Sequence, residues 1–377
     1  MRILIIRNYP SFMDVEHNTY NIQEIGLAKA LIRRGHSCDI VFWTNDEEKD
    51  VEYIFDDNKQ IKVYYRKGRN ILKNAIYSNI DDLIKNYDVI QPCEYNQLQS
   101  WLLAKKYPEK TVIYHGPYYS KFNKGYNMMC RFTDKFVLNT YRKMNTPFIV
   151  KSNLAARFLR EKNIENVTVA GVGVDLDAFK VKSIDKIPEE VKNIECIKSD
   201  YKLLYIGRLE PRRNIPFLFD VLKGVRDNGM DAMLIVVGNG VEKYKNSVFG
   251  YAREIGVADS IYYIEKLEQK YLSCVYEKCN IFLLPTYYEI FGMVLLEAMY
   301  FGKTAITTEN GGSDMLITKN KDGIIIKEFN KAKWVEAIVK NIDDLSIGMN
   351  AHSKITGNFT WGNLADKFIE VYKRKVK

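Results

Sequence analysis

Apolar runs of four to six residues, each followed by a helix-like stretch, recur along the 377 residues in two successive series, and this rhythm constrains the fold more than any other feature. A run without polar alternation reads as a strand buried on both faces, which requires a parallel sheet covered by helices on either side. The first series comprises Arg2–Ile6, Cys38–Trp43, Ile61–Tyr65, Val89–Pro92, Thr111–Tyr114, Phe148–Lys151 and Val167–Ala170, with a helix over Tyr20–Arg34. The second comprises Leu203–Ile206, Met233–Val237, Ile261–Ile264, Ile281–Leu284, Thr304–Thr308 and Gly323–Ile326. The predicted class is α/β, with two doubly wound units. Between them Asp175–Tyr201 is rich in charge, carries Pro188, has little apolar periodicity and reads as the interdomain link. A last amphipathic segment, Trp361–Tyr372, places Leu364, Phe368 and Tyr372 at helical spacing. The length, with 46% hydrophobic residues, exceeds one core and agrees with two domains.

Several classes of protein are disfavoured. The six cysteines, Cys38, Cys93, Cys130, Cys196, Cys274 and Cys279, lack zinc-type spacing and read as reduced packing residues. Four scattered histidines form no metal cluster. The chain enters a strand at once without a signal-peptide profile, and no apolar run approaches the roughly 20 residues of a membrane span, so a cytosolic protein is expected.

The chemistry concentrates at strand ends, where sheets of this kind bind ligands. After Ile281–Leu284 come the loop Pro285–Glu289 and a helix over Gly292–Tyr300, which brackets two carboxylates, Glu289 and Glu297, eight positions apart. The amides near Ile290, Phe291, Gly292, Met293 and Val294 open that helix, lack intrahelical partners and suit a diphosphate. Glu297 falls off the Val294, Leu295, Ala298 and Met299 stripe, and either faces ligand or is simply an exposed helix former. A companion strand ends at Gly207 and is followed by Arg208, Arg212 and Arg213, cations fitted to phosphate oxygens. Gly238-Asn239-Gly240 and Gly311-Gly312-Ser313-Asp314 also follow strands, and each is either a close ligand contact or a turn. His115, followed by Gly116 and Pro117, is either functional or a hydrogen-bonded residue closing a turn.

Charge is uneven. Between Lys105 and Arg160 twelve cations face only Glu109 and Asp134, a net of +10 in a chain of net +9, so the remainder sums to −1. Tyr118, Tyr119, Phe122, Tyr126, Met128, Met129, Phe132 and Phe136 are interleaved with them. The mixture suits an anionic membrane surface, or else a solvated cationic helix face with its aromatics in the core. No nucleic-acid-binding motif accompanies the charge.

Glu289 with Glu297, Gly207-Arg208-Leu209 with Arg213, and Val237-Gly238-Asn239-Gly240 resemble the retaining nucleotide-sugar glycosyltransferases of family 4. The likeness extends to Met1–Ile6, the helix end Leu31-Ile32-Arg33-Arg34-Gly35-His36, and His115-Gly116. It implies the GT-B fold: two Rossmann-like domains facing a central cleft, the first over 1–175 on the acceptor side, the second over 176–360 binding the nucleotide sugar, and a C-terminal helix, 361–377, crossing back to the first. It further implies transfer from a nucleoside-diphosphate sugar to a hydroxyl acceptor with retention, in cell-envelope, capsular or exopolysaccharide synthesis. Arg208 and Arg213 would neutralise the leaving diphosphate without a metal or other cofactor, Glu289 would hold the donor sugar, Glu297 the ribose, and His115 the sugar and acceptor side. Many members carry Gly-Gly where Asn18-Thr19 stands, which removes glycine's close approach from that acceptor-side loop. Arg213 stands for the family's usual lysine, keeping the charge but substituting a planar fork. The expected partners are a nucleotide sugar, a lipid-linked or oligosaccharide acceptor and, peripherally, an anionic membrane at the inner face of the cell. A sugar-nucleotide epimerase of the same fold, or a noncatalytic sugar-nucleotide-binding protein, would use the same cleft.

Overall fold

Whereas the outer runs Val167–Val169 and Ile261–Ile264 are largely half-buried, the apolar runs at the centre of the sheets are buried along nearly their whole length, as in Ile281–Leu284. Such strands cannot leave a face open, and helices cover both sides. The computed structural model describes residues 1–17, 20–56, 58–180 and 186–376. These fall into two units, one of Met1–Asp175 with Phe359–Lys377 and one of Leu176–Asn358.

In the first unit, β1 (Arg2–Ile6), β2 (Ser37–Thr44), β3 (Lys49–Phe55), β4 (Lys59–Ile71), β5 (Asn74–Tyr77) and β6 (Val89–Pro92) form a sheet in the order β3-β4-β2-β1-β6, with β5 on β4. Strands β1, β2, β4 and β6 pair in parallel, whereas β3 and β5 run antiparallel to β4. A parallel set, β7 (Ile113–His115), β8 (Phe148–Val150) and β9 (Val167–Val169), continues from β6 through bridges Ile90 to Thr111 and Cys93 to Tyr114. The winding reverses between β1 and β6. Helix Gln23–Arg33 ends in a Schellman motif: Gly35, at φ +82°, donates to the Ile32 carbonyl, and His36 donates to that of Leu31.

The closing helix, Trp361–Val376, belongs to this first unit and buries Leu364, Phe368 and Tyr372. Trp361 occupies space that only glycine leaves, since a Cβ on Gly26 would lie 2.3 Å from its Nε1 and one on Gly173 2.5 Å from its backbone nitrogen. Arg34 pairs with Asp366 at 3.0 Å, and the Tyr372 hydroxyl meets Gln91 Oε1 on β6.

The second unit is one parallel sheet, β10 (Tyr201–Ile206), β11 (Ala232–Val237), β12 (Ile261–Ile264), β13 (Ile281–Leu284), β14 (Thr304–Thr307) and β15 (Ile324–Ile325), in the order β12-β11-β10-β13-β14-β15. Its winding reverses between β10 and β13, so the crevice at their carboxyl ends is the topological switch point. The stretch expected to be a link is instead largely built into this unit. Turn Leu176–Phe179 sets Phe179 edge-on to Phe301 at 4.9 Å, and helix Glu189–Cys196 buries Val191 and Ile194. Residues 181–185 of that stretch lie outside the described residues.

Candidate active site

At the switch point of the second unit two loops are stitched together. The loop after β10 runs Gly207–Asn214 with a 3-10 turn at Pro211–Arg213, and that after β13 runs Pro285–Glu289. Tyr287 donates its amide to the Arg212 carbonyl at 2.8 Å, and the Thr286 hydroxyl donates to the same carbonyl at 3.1 Å. Glu289 Oε2 then receives two cations: Arg212 Nη1 at 2.9 Å and the guanidinium of Arg213. Arg212 also contacts Glu210 at 2.8 Å. Burial works to lower its pKa, but the carboxylates of Glu289 and Glu210 outweigh that and hold it above the usual value. Arg213 is 7% exposed; its Nη1 is paired with Glu289, and its Nε has no hydrogen-bond partner among the described residues. A buried guanidinium with donors to spare is a site for an added acceptor. Arg208 is exposed, and its carbonyl accepts from the Tyr205 hydroxyl at 3.0 Å.

The glycines have a specific packing reason. Gly207 and Gly238 have φ of +151° and +141°, and a Cβ on Gly238 would lie 2.1 Å from the Gly207 carbonyl oxygen. The loop at Gly238–Gly240 is thereby clasped to Gly207–Leu209, with the Leu209 amide bonded to the Asn239 carbonyl at 2.9 Å. Gly311 and Gly312 likewise open helix Gly311–Leu316 directly against the Glu289 loop: added Cβ atoms would fall 2.0 Å from the Ile290 oxygen and 1.6 Å from that of Phe291. Asn310 caps this helix through the Gly312 and Ser313 amides. Backbone packing thus accounts for glycine at both positions.

Gly292, at φ +78°, caps helix Met293–Tyr300, and its carbonyl accepts from Leu295 and Leu296. The amides of Met293 and Val294 precede the first helical bond and are free to face an anion, with Ile290 partly exposed and Phe291 buried beside them. Glu297 is not the exposed helix former that its position off the apolar stripe allowed; it is 3% exposed. Gln269 Nε2 donates to its Oε1 at 2.9 Å and the Tyr276 hydroxyl to its Oε2 at 3.2 Å. Burial pushes the carboxyl up to about 8 against the opposing effect of these two bonds. The helix that bears it is buried nearly all round, which is why the stripe did not reveal its orientation.

In the first unit the corresponding crevice lies between β1 and β6, and His115 ends the neighbouring β7. His115 is fully buried, its Nδ1 2.7 Å from Glu94 Oε2, while its Nε2 has no hydrogen-bond partner. Phe158 stacks on the ring at 5.6 Å and Tyr95 meets it edge-on at 5.2 Å. Glu94, itself at φ +64°, also accepts from the Gly116 amide at 3.0 Å. Burial raises its pKa, but His115, Lys151 and that amide more than offset this and leave it below the ordinary value. His115 is thus the hydrogen-bonded residue at a strand end that one reading expected, and its Nε2 is the atom left for the other. Glu94 was not anticipated, although it follows β6 at the kind of strand end that singled out His115. Arg212 was noticed as a cation but not as the partner of Glu289. Gln269 and Tyr276 had no local signal. Asn18 and Thr19 lie outside the described residues. Among the described residues no group of three or more His, Cys, Asp or Glu is placed to hold a metal ion, and all six cysteines are free thiols.

Residues 186–353 match the family described as glycosyl transferases group 1. The chain is 23% identical over 227 residues to a D-inositol 3-phosphate glycosyltransferase of Salinispora tropica, covering 56% of this chain and 46% of that one. It thus spans about half the length of such curated relatives. An uncharacterized glycosyltransferase of Methanocaldococcus jannaschii is 24% identical over 296 residues, 74% of this chain and 73% of that one. Among solved structures, Anabaena HepE in complex with UDP superposes with a TM-score of 0.75 at 14% identity, covering 99% and 100% of the two chains. A sucrose-phosphate synthase from Thermosynechococcus elongatus gives 0.73 at 17% identity, covering 99% of each. The chain therefore has the GT-B fold, and its second unit carries the sequence pattern of group 1 glycosyl transferases.

Proposed function

We propose that this protein is a retaining glycosyltransferase of family 4 that moves a sugar from a nucleoside diphosphate to a hydroxyl acceptor. The observation that carries this reading is Arg213: a buried guanidinium aligned by Glu289 and with its Nε unspent, at the switch point of a segment matching the group 1 pattern. As the glycosidic bond breaks, negative charge grows on the departing diphosphate and positive charge on the sugar. Arg208, Arg213 and the Met293 and Val294 amides meet the diphosphate, with Gly207, Gly238, Ile290, Phe291 and Gly292 shaping the loops around it. Glu289 holds the donor sugar's hydroxyls and aligns both arginines. Glu297 takes the ribose hydroxyls once Gln269 or Tyr276 yields an oxygen. In the first, acceptor-side unit His115 offers Nε2 to a sugar hydroxyl, with Glu94 fixing the ring. Cations replace a metal in charge neutralisation. The HepE and trehalose-6-phosphate synthase structures were solved with UDP-glucose and UDP-2-fluoro glucose, which makes UDP-glucose the first donor to test.

The acceptor we infer is lipid-linked or an oligosaccharide, in cell-envelope or capsular polysaccharide synthesis, with the enzyme peripheral to the inner membrane face. A mass-spectrometric screen of nucleotide sugars against lipid-linked and soluble acceptors tests the assignment. Release of nucleoside diphosphate coupled to a glycosylated product supports it. An isomerised donor without transfer would identify an epimerase, and donor binding without turnover would identify a noncatalytic protein.

A further inference from the structure

Helix Lys124–Lys143 of the first unit exposes three apolar side chains in a row, Met128, Phe132 and Phe136, at 72%, 61% and 57%. They are not misplaced core residues, because Cys130, Val137 and Tyr141 already serve the core from the opposite side of the same helix. At 3.6 residues per turn, the apolar row shares an arc of roughly 140° with exposed Lys124, Arg131, Lys135 and Lys143, while the Arg142 guanidinium is tied back to the Lys162 carbonyl. Acid is excluded from this arc. The helix has one carboxylate, Asp134, and it is turned away to the Tyr95 hydroxyl at 3.0 Å and the Lys162 ammonium.

The structure also takes several cations of the broad basic region out of account. Lys106 pairs with Asp81 at 2.7 Å and Lys110 donates to the Tyr87 carbonyl at 2.7 Å. Lys105 and Lys151 lie over the rings of Trp101 and Tyr114 at 5.5 and 4.9 Å. By contrast Lys124, Arg131 and Lys135 enter no ion pair among the described residues. Tyr126 and Met129, counted with the interleaved aromatics, are partly buried, and the row that remains is Met128, Phe132 and Phe136.

We propose that this face seats on an anionic phospholipid surface, with Phe132 and Phe136 entering the acyl boundary and the flanking cations lying among the phosphates. It deepens the membrane contact proposed above and names the surface that makes it. Charge selects this occupant: a second copy would bring four exposed cations against four, whereas an anionic bilayer meets both the cations and the apolar row. Donor and acceptor play no part in the binding, so it stands or falls separately from the transfer reaction.

The test is cosedimentation of the intact chain with vesicles of phosphatidylcholine alone and of phosphatidylcholine with an equal part of phosphatidylglycerol, at low and physiological salt. Wild type should sediment with the anionic vesicles only. Lys124→Glu, Arg131→Glu and Lys135→Glu combined should weaken that binding by roughly 100-fold. Phe132→Ser with Phe136→Ser should abolish the part that survives physiological salt. All five positions are exposed, and an unchanged circular dichroism spectrum will verify the fold. A Phe132→Trp probe should shift its emission to the blue on anionic vesicles. Binding unaffected by the charge reversals, or absent from both vesicles, overturns the proposal. So does a concentration-dependent dimer of the free protein that the Phe variants lose, or retention on single-stranded nucleic acid without retention on vesicles.

Discussion

Replacing Glu297 by Gln should abolish a loss of stability that the wild-type protein suffers as pH rises. The Glu297 carboxyl titrates near 8 in the folded chain against a reference of 4.5, because burial penalises its charged form more than Gln269 and Tyr276 compensate. The folded state therefore holds a proton that the unfolded chain releases. The stabilisation is fully present below the unfolded pKa, declines across the window from about 4.5 to about 8, and is gone above it. At 1.36 kcal/mol per pKa unit, the whole shift corresponds to about 3–5 kcal/mol. Glu24 and Glu94 act in the opposite sense and in a lower window. Each is pushed up by burial but pulled further down by its partners, Arg7 and His115, and each loses its contribution as pH falls below the usual carboxylate range. Gln at 297 can accept from Gln269 and donate to the Tyr276 oxygen, so it keeps the packing and removes the titration. Urea unfolding at 25 °C, followed by circular dichroism at about pH 5 and about pH 8.5, should show wild type losing several kcal/mol and the variant nearly none. Equal losses in the two proteins would refute the assignment of this proton to Glu297.

Three further outcomes are expected. Arg213→Ala and Arg208→Ala should each slow transfer by on the order of 100-fold or more, read as product formation at saturating donor, and unchanged turnover in a folded variant would reject its role. Gly312→Ala, whose Cβ would lie 1.6 Å from the Phe291 carbonyl oxygen, should destabilise the protein by about 2–4 kcal/mol, whereas Gly125→Ala meets nothing within 4 Å and should raise stability by up to about 1 kcal/mol, both measured by thermal melting. Transfer should persist in excess chelator, and complete loss restored by magnesium or manganese would contradict charge neutralisation by arginines.

Strands of uninterrupted apolar residues were legible because their pattern is local: β12 and β13 span the same residues in sequence and structure. The edge strands β3 and β5 were not. Lys49–Phe55 alternates charge with half-buried residues and draws its stability from pairing with β4, so it shows no apolar run to read. Helix Glu189–Cys196 escaped for a similar reason, since only Val191 and Ile194 of its eight residues are buried.

The site divides along the same line. Which residue types stand at the strand ends could be read from chain order: the arginines after β10, Glu289 after β13, the glycines at 207, 238, 311 and 312, and His115 as the last residue of β7. Those follow from chain order, and chain order with alternating strands and helices dictates where a parallel sheet presents its loops. Only the tertiary structure decided who meets whom. The pairing of Glu289 with Arg212 and Arg213 spans more than 70 residues, that of Glu297 with Gln269 and Tyr276 more than 20, and that of His115 with Glu94 also more than 20. Each depends on the lateral order of strands and helices, which hydrogen bonding between segments establishes and no local periodicity encodes. The same holds for the sorting of aromatics on helix Lys124–Lys143, where burial against the neighbouring elements took Tyr141 inward and left Phe132 and Phe136 facing solvent.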